Sequence, residues 1–458
     1  MHHGLTDTPQ ESAALALKSG CDLNCGAVYL HVMSAYNQGL VSEDDIDRAV
    51  THLMMTRMRL GMFDQHTEFD EIPYEVNDCA EHHSLALKAA EESMVLLKND
   101  GILPLDKAKL KTVAVIGPNS DSEEILKGNY NGTATEKYTL LEGIRAVLGK
   151  DTRIFCSEGA HLYRDNVENL AEADDRIKEA VSMAMRSDVV FLCLGLNGTL
   201  EGEEGDANNS YAGADKVDLN LPESQMRLLK AVCETGTPVI LLLSAGSAMA
   251  ISDADEHCSA ILHVWYPGQM GGLAAARLLM GEAVPSGRLP VTFYRTTEEL
   301  PDFTDYSMKG RTYRYMEHEA LYPFGYGLSY GDFEYSNLKA EQIETGQVKL
   351  SVEITNHSMF ECDEVAQVYV RITDSELAAP GGSLADFKRI HLKAGESAAA
   401  AFILSAKAFM VVNEEGEFVF DGSAAVVTCG GSQPDGRSVE LTGKTPLKLN
   451  LKVEDLRW

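Results

Sequence analysis

A chain of 458 residues is long enough for roughly three domains of about 100 to 200 residues each. Hydrophobic residues make up 45% and charged residues 24% of it, which excludes a mainly disordered chain. The formal net charge of −31 repels nucleic acid and anionic membrane, so neither is expected as a partner, while a neutral ligand is compatible with it. No run reaches the roughly 18 consecutive apolar residues of a membrane helix. No signal peptide opens the sequence, so a cytoplasmic location is expected unless an upstream segment carries a signal. The nine cysteines are odd in number and lack the density of a disulfide scaffold, which fits a reducing compartment. Cys193 and Cys233 lie in apolar segments, where a thiol acts as a small hydrophobe. Cys21 and Cys25 have His31 nearby, but no second ligand pair follows at a zinc-like spacing, so no metal site is expected.

In chain order, the first sixty residues read as helical. TPQESAALALKSG (Thr8 to Gly20) opens with Thr and Pro, keeps apolar residues at helical spacing and stops at glycine. CDLNCG (Cys21 to Gly26) reads as a short buried strand and turn. SEDDIDRAVTHLMMTRMRLGMF (Ser42 to Phe63) is a second helix, with Ser42 as N-cap, acids in its first turn and basic residues near its end. Residues 67–95 read as a linker.

Beyond it, apolar runs at Thr112 to Gly117, Asp188 to Leu196, Pro238 to Ala245 and Ala260 to Trp265 alternate with helix-period stretches such as Ala171 to Arg186 and Ser224 to Thr235. Such alternation predicts parallel strands with crossover helices. VAVIGPNSD (Val113 to Asp121) lacks the glycine spacing of a phosphate-binding loop. GNYNGT (Gly128 to Thr133) is a turn-rich loop that could line a pocket. Residues 301–335 form an aromatic, Gly-rich connector. After it, KLSVEITN (Lys349 to Asn356), EVAQVYVRI (Glu364 to Ile372) and Ala399 to Ser405 alternate like strands, with turns such as KAGES (Lys393 to Ser397) between them. This pattern predicts a β-sandwich.

The most chemically suggestive stretch is LEGEE (Leu200 to Glu204), three carboxylates in four positions directly after the run DVVFLCLGL. Loops at the carboxyl ends of buried parallel strands are where α/β sheets present reactive side chains. A solvated acidic loop is the competing explanation. LEGEE is followed by DLNLPESQ (Asp218 to Gln225) and the strand PVILLLSAG (Pro238 to Gly246), and that order resembles the acid/base segment of glycoside hydrolase family 3. KAAEESMVLLKNDGILPL (Lys88 to Leu105), VAVIGPNSD, WYPGQMGG (Trp265 to Gly272), SGRLPVTF (Ser286 to Phe293), MKGRTYRY (Met308 to Tyr315) and YPFGYGLSY (Tyr322 to Tyr330) also resemble family signatures, in the family's order.

The resemblance implies an α/β fold in parts. Residues 1–66 would be a C-terminal remnant of a (β/α)8 barrel, residues 96–300 the α/β sandwich domain, and residues 336–455 a fibronectin type III-like domain. A whole barrel needs about 250 residues, so most of it is absent from this sequence. It further implies a retaining, exo-acting β-glycosidase, with an aspartate nucleophile on the barrel and a glutamate acid/base on the second domain. In that chemistry one carboxylate attacks the anomeric carbon, while a carboxylic acid about 5 to 5.5 Å away protonates the departing oxygen and later activates water. Glu203 best matches the acid/base, with Glu201 and Glu204 as alternatives because the insertion GDANNSYAGADK blurs the alignment. The nucleophile motif should lie shortly before HHGLTDTPQES, upstream of Met1, so no nucleophile is expected in this sequence. Asp22 is the substitute candidate, and His2 and His3 would lie near the missing position.

The insertion after LEGEE and the CDLNCG segment place xylosides first and glucosides second as expected substrates. No cofactor or metal is expected, since carboxylate chemistry on an acetal needs neither. Expected partners are a β-linked oligosaccharide, and a missing barrel segment or a second copy of the chain to cover unpaired edges. The alternative is a non-catalytic carbohydrate-binding or assembly subunit. Trp265 and Tyr266 are read as packing residues rather than sugar platforms, and RTYRY (Arg311 to Tyr315) as a pin between domains.

Overall fold

The computed structural model describes residues 4–128, 131–166, 168–202, 216 and 218–453. The chain divides into two compact units, residues 1–79 and 80–458.

The first unit is helical. Helix α1 (Pro9–Lys18) begins with a reciprocal capping box between Thr8 and Glu11, which satisfies two amide donors that a helix start leaves free. Helix α2 (Val32–Asn37) is short. Helix α3 (Glu43–Arg59) has a second capping box, Ser42 with Asp45, acids in its first turn and Arg57 and Arg59 in its last. Ala13, Ala14, Leu17, Ala35, Val41 and Ala49 form its small core. CDLNCG does not form the expected strand: it is irregular, and Leu23 is 66% exposed. A strand needs a neighbour to take its backbone hydrogen bonds, and none of the described residues of this unit forms one. Leu30, Phe63, Phe69 and Tyr74 are exposed as well.

The second unit opens with helix α4 (Ala80–Ser93), so much of the expected linker is helical. It runs into strand β1 (Val95–Asn99), the first of a six-stranded sheet. The others are β2 (Thr112–Ile116), β3 (Arg153–Ser157), β4 (Val189–Gly195), β5 (Val239–Ser244) and β6 (Ala260–His263). They lie in the order β1-β6-β5-β4-β2-β3, all parallel except β1, which pairs antiparallel with β6. Strands β4, β5 and β6 are buried along their whole length, which is why their sequences are unbroken apolar runs rather than alternating ones. Helices α5 (Leu140–Leu148), α6 (Ile177–Ala184), α7 (Glu223–Cys233), α8 (Ser252–His257) and α9 (Gly271–Leu279) complete the layers. Two buried clusters form: Ala114, Leu192, Leu228 and Leu241 share one, and Val113, Ile144, Phe191 and Leu278 the other. Helix α6 is shorter than the stretch Ala171 to Arg186 suggested, because residues 171–176 form turns.

The connector contributes to this core. Leu321, Tyr322 and Tyr326 are buried in it, and the Tyr326 hydroxyl donates to Leu97 O on β1 at 2.8 Å. Within RTYRY, which spans helix α10 (Thr312–Tyr315), the pin is Tyr313. It stacks on Phe324 with ring centroids 4.2 Å apart and accepts from the Leu384 amide at 3.0 Å. Arg311 instead donates to Asp302 O and Asp305 O inside the connector.

The remaining residues form the expected sandwich. Strands β7 (Phe333–Glu344), β8 (Gln347–Asn356), β9 (Cys362–Ile372), β10 (Ser383–Leu392) and β11 (Ser397–Ser405) are followed by the short pair β12 (Val411–Val412) and β13 (Phe418–Val419), then β14 (Ala424–Gly430), helix α11 (Gly436–Thr442) and β15 (Leu447–Lys452). One sheet runs β10-β9-β14-β15 and the other β11-β8-β7. Strand β8 alternates buried and half-buried residues along all ten positions, the period-2 pattern of a strand with one face in a core. Arg288 joins sandwich and α/β domain: it donates to Glu364 at 2.7 Å, where the two side chains are only 9% and 3% exposed.

Candidate active site

Strand order places the candidate site. The chain steps from β2 outward to β3, then crosses back over β2 to β4 and continues the other way. Such a reversal leaves a crevice at the carboxyl ends of the two strands flanking it, because the loops leave in opposite directions. Gly195 ends β4 with φ +130°, and a Cβ there would stand 1.9 Å from Ser244 O. Only glycine lets the ends of β4 and β5 approach so closely. Gln225 on α7 locks the same point, donating to Gly195 O and accepting from Gly195 N, each at 2.8 Å. Asn119, buried after β2, reaches across to Leu196 O at 3.4 Å.

The chain leaving β4 makes one tight turn. Asn197 accepts from the Thr199 amide at 3.0 Å, and the Glu201 amide donates to Asn197 O at 3.1 Å. This turn swings the Glu201 carboxylate back over the end of β5. There it accepts from the Gly246 amide at 2.6 Å, from the Ser247 hydroxyl and from the Tyr266 hydroxyl. Lys216 closes the arrangement: its Nζ lies 3.8 Å from Glu201 Oε1 and donates to Ser247 Oγ at 2.6 Å and Ala248 O at 3.1 Å. Residues 201 and 216 therefore meet on the β5 loop. Glu203, Glu204, His2 and His3 lie outside the described residues.

Burial shapes the electrostatics here. It raises the Tyr266 phenol well above its usual range, and the Glu201 charge pushes in the same direction. For Lys216 burial lowers the ammonium, opposed by the attraction of Glu201 and Asp218. Both effects are the expected response to removing a charged form from water. Tyr266 thus remains a neutral donor, fixed to a carboxylate whose two oxygens both face donors. Trp265 packs as expected: its Nε1 donates to Ser93 O at 3.1 Å and its ring lies 3.9 Å from the His263 ring. In the loop read as pocket-lining, a Cβ added to Gly128 would stand 3.7 Å from the Tyr266 ring.

Other candidates fall elsewhere. Asp22, in the first unit, bonds His52 Nδ1 at 2.9 Å. Cys21 and Cys25 are exposed, and no group of three His, Cys, Asp or Glu able to hold a metal occurs among the described residues. The parts that the sequence did not single out are Lys216, Ser247 and the anchoring role of Tyr266. The available signal was an acidic strand-end loop followed by small residues after the next strand, SAGS (Ser244 to Ser247).

An open, mostly parallel sheet with a carboxylate-bearing loop at the carboxyl ends of its strands is here joined to a β-sandwich. Residues 94–330 match the glycosyl hydrolase family 3 C-terminal domain, and residues 364–433 a fibronectin type III-like domain. The chain belongs to glycosyl hydrolase family 3. It is 31% identical to a β-xylosidase of Formosa agariphila over 96% of its own length and 62% of that protein's. A solved exo-β-xylosidase of the family, bound to a xylobiose aziridine probe, superposes with TM-score 0.82 at 26% identity over 98% of this chain and 59% of that one. A β-glucosidase of Listeria innocua in complex with glucose gives 0.78 at 27% identity, over 98% and 60%. The chain thus spans about three-fifths of the length of these proteins.

Proposed function

We propose that this chain supplies the acid/base part of a retaining, exo-acting β-glycosidase that removes residues from the non-reducing ends of β-xylosides or β-glucosides. The observation that supports this reading is that Glu201 and Lys216, which flank Glu203 in the sequence, are held together at the carboxyl edge of the sheet. Glu203 is assigned as acid/base, with Glu201 and Glu204 as its alternates; the Glu201 carboxylate accepts from Gly246, Ser247 and Tyr266. A general acid needs a carboxyl group that can hold a proton until the leaving oxygen takes it. The names of the relatives, β-xylosidases and β-glucosidases, support the substrate class.

Asp22 is a poor nucleophile candidate because its carboxylate is engaged by His52. The nucleophile is therefore assigned to a barrel segment outside this sequence, which would also cover the exposed apolar side chains of residues 4–79.

The test is hydrolysis of aryl β-xyloside and aryl β-glucoside by the purified chain, alone and mixed with a barrel segment, with Glu203→Gln as control. Turnover only in the mixture, abolished in Glu203→Gln, is expected. Turnover by the chain alone would restore Asp22 as nucleophile. Saturable sugar binding with no turnover in any combination would favour the non-catalytic carbohydrate-binding subunit.

A further inference from the structure

A cavity of about 470 Å³ opens in the sandwich, far along the chain from the Glu201 cluster. It lies where the ends of β9 and β11 meet the start of β10 and the β12–β13 pair, and α10 reaches it from the connector. Its floor is apolar, with Val370, Leu384, Leu404 and Val411. Three cations line it, Arg314, Arg371 and Lys407, and no aspartate or glutamate does.

This charge pattern runs against the rest of the molecule. The chain has 39 basic and 70 acidic residues, and elsewhere its arginines and lysines often meet carboxylates, as Arg288, Arg227 and Arg277 do. Among the described residues no carboxylate pairs with Arg314, Arg371 or Lys407. Arg314 Nε is cut off from solvent and has no acceptor. A buried guanidinium N–H without a partner is unfavourable. Lys407 Nζ sits 4.2 Å over the Phe418 ring and the Arg314 guanidinium 5.3 Å over Tyr315, so aromatic faces hold two of the cations in place.

We propose that this cavity binds a small organic carboxylate, whose anionic group meets the guanidinium groups of Arg314 and Arg371 and whose body lies against Phe418 and the apolar floor. The volume falls in the range of about 300 to 1,000 Å³ that holds small-molecule ligands. Planar forks such as Arg314 and Arg371 favour a carboxylate over a spherical anion, because two parallel N–H donors match its two oxygens. The body could be a sugar acid or an aromatic acid; the anionic group is the shared recognition element.

Calorimetric titration of the full chain with D-glucuronate and with 2-naphthoate distinguishes the two sources, with D-glucose and 2-naphthylmethanol as the neutral counterparts. The expected result is saturable one-to-one binding of one acid and not of its neutral counterpart. Arg371→Ala and Lys407→Ala should each weaken it about tenfold, and added salt should weaken it in the unsubstituted chain as well. Glu201→Gln should leave it unchanged, which separates this site from the proposed glycosidase site. Binding of neither acid overturns the proposal, as does binding that is indifferent both to salt and to the two substitutions.

Discussion

The Tyr266 hydroxyl donates to Glu201 Oε2, the same oxygen that accepts from the Gly246 amide. Tyr266 follows β6, Gly246 follows β5 and Glu201 follows β4, so one carboxylate oxygen ties three adjacent strand ends together. Tyr266→Phe keeps the ring and removes the donor. It should cost about 1 to 2 kcal/mol, read as a lower urea midpoint with an unchanged slope. Because the anchor also fixes residue 201 at the start of the Glu203 segment, the variant should be cleaved faster there by a nonspecific protease. Equal cleavage rates would dismiss the anchoring role.

His263 should make the α/β domain acid-sensitive. It is fully buried at the end of β6, with Nδ1 bonded to Leu243 O at 3.0 Å, and burial lowers its pKa to about 4. The unfolded chain, with a value near 6.5, binds more protons than the folded chain between those limits. Stability from keeping His263 neutral is therefore present above about pH 6.5 and is lost as pH falls toward 4. The loss is on the order of 3 kcal/mol across the window. Urea titrations at pH 7 and pH 4.5 should show a smaller difference for His263→Phe than for the unsubstituted chain, and an equal difference would exclude His263 as a source.

Arg288 and Glu364 form the interdomain pair with the least exposure, and Glu364 also accepts from Tyr335 at 2.7 Å. Removing one partner leaves a buried charge unpaired, which typically costs about 3 to 5 kcal/mol. Arg288→Met should therefore be much more damaging than the double variant Arg288→Met/Glu364→Gln. Scanning calorimetry should show the single variant unfolding earlier, with the sandwich transition separating from that of the α/β domain.

Helices α5 and α9 meet at backbone distance. A Cβ added to Gly143 would stand 1.9 Å from Gly272 O, so no side-chain adjustment can make room for it. Gly143→Ala should destabilise by about 3 kcal/mol or more through displacement of the helices. The check is the soluble yield and thermal midpoint against Leu148→Ala, an ordinary core truncation on the same helix.

Strands that are buried on both faces were the easiest to read. The runs ending near Gly117, Leu196, Ala245 and Trp265 became β2, β4, β5 and β6 within one or two residues, because total burial leaves an apolar signature that needs no partner information. Capping residues Thr8 and Ser42 marked their helices for a similar reason: the bond they make is local. CDLNCG misled because its apolar and small residues suit a strand only where another strand receives them. The Glu201 site was half legible. The acidic loop stood out, but Lys216 and Ser247 lie 15 and 46 residues further along, and only the sheet order brings them to one place. Tyr266 looked like packing because tyrosine after a buried strand usually is, and its hydroxyl partner is set by the same nonlocal order.

The antiparallel edge has a consequence for synthesis. Strand β1 is the first of the sheet to leave the ribosome, yet its neighbour is β6, and Leu96 also bridges to Leu328 in the connector. Met94, Val95, Leu96 and Leu97 are all buried in the finished molecule. A nascent chain ending anywhere before about residue 265 must therefore carry this apolar strand without its neighbour. Pairings this distant in sequence form late, and unpaired strands of this kind invite association with other chains. A ribosome stalled between the codons for β5 and β6 would leave a nearly complete sheet that still exposes its first strand, making that stretch of the message the most hazardous place to pause.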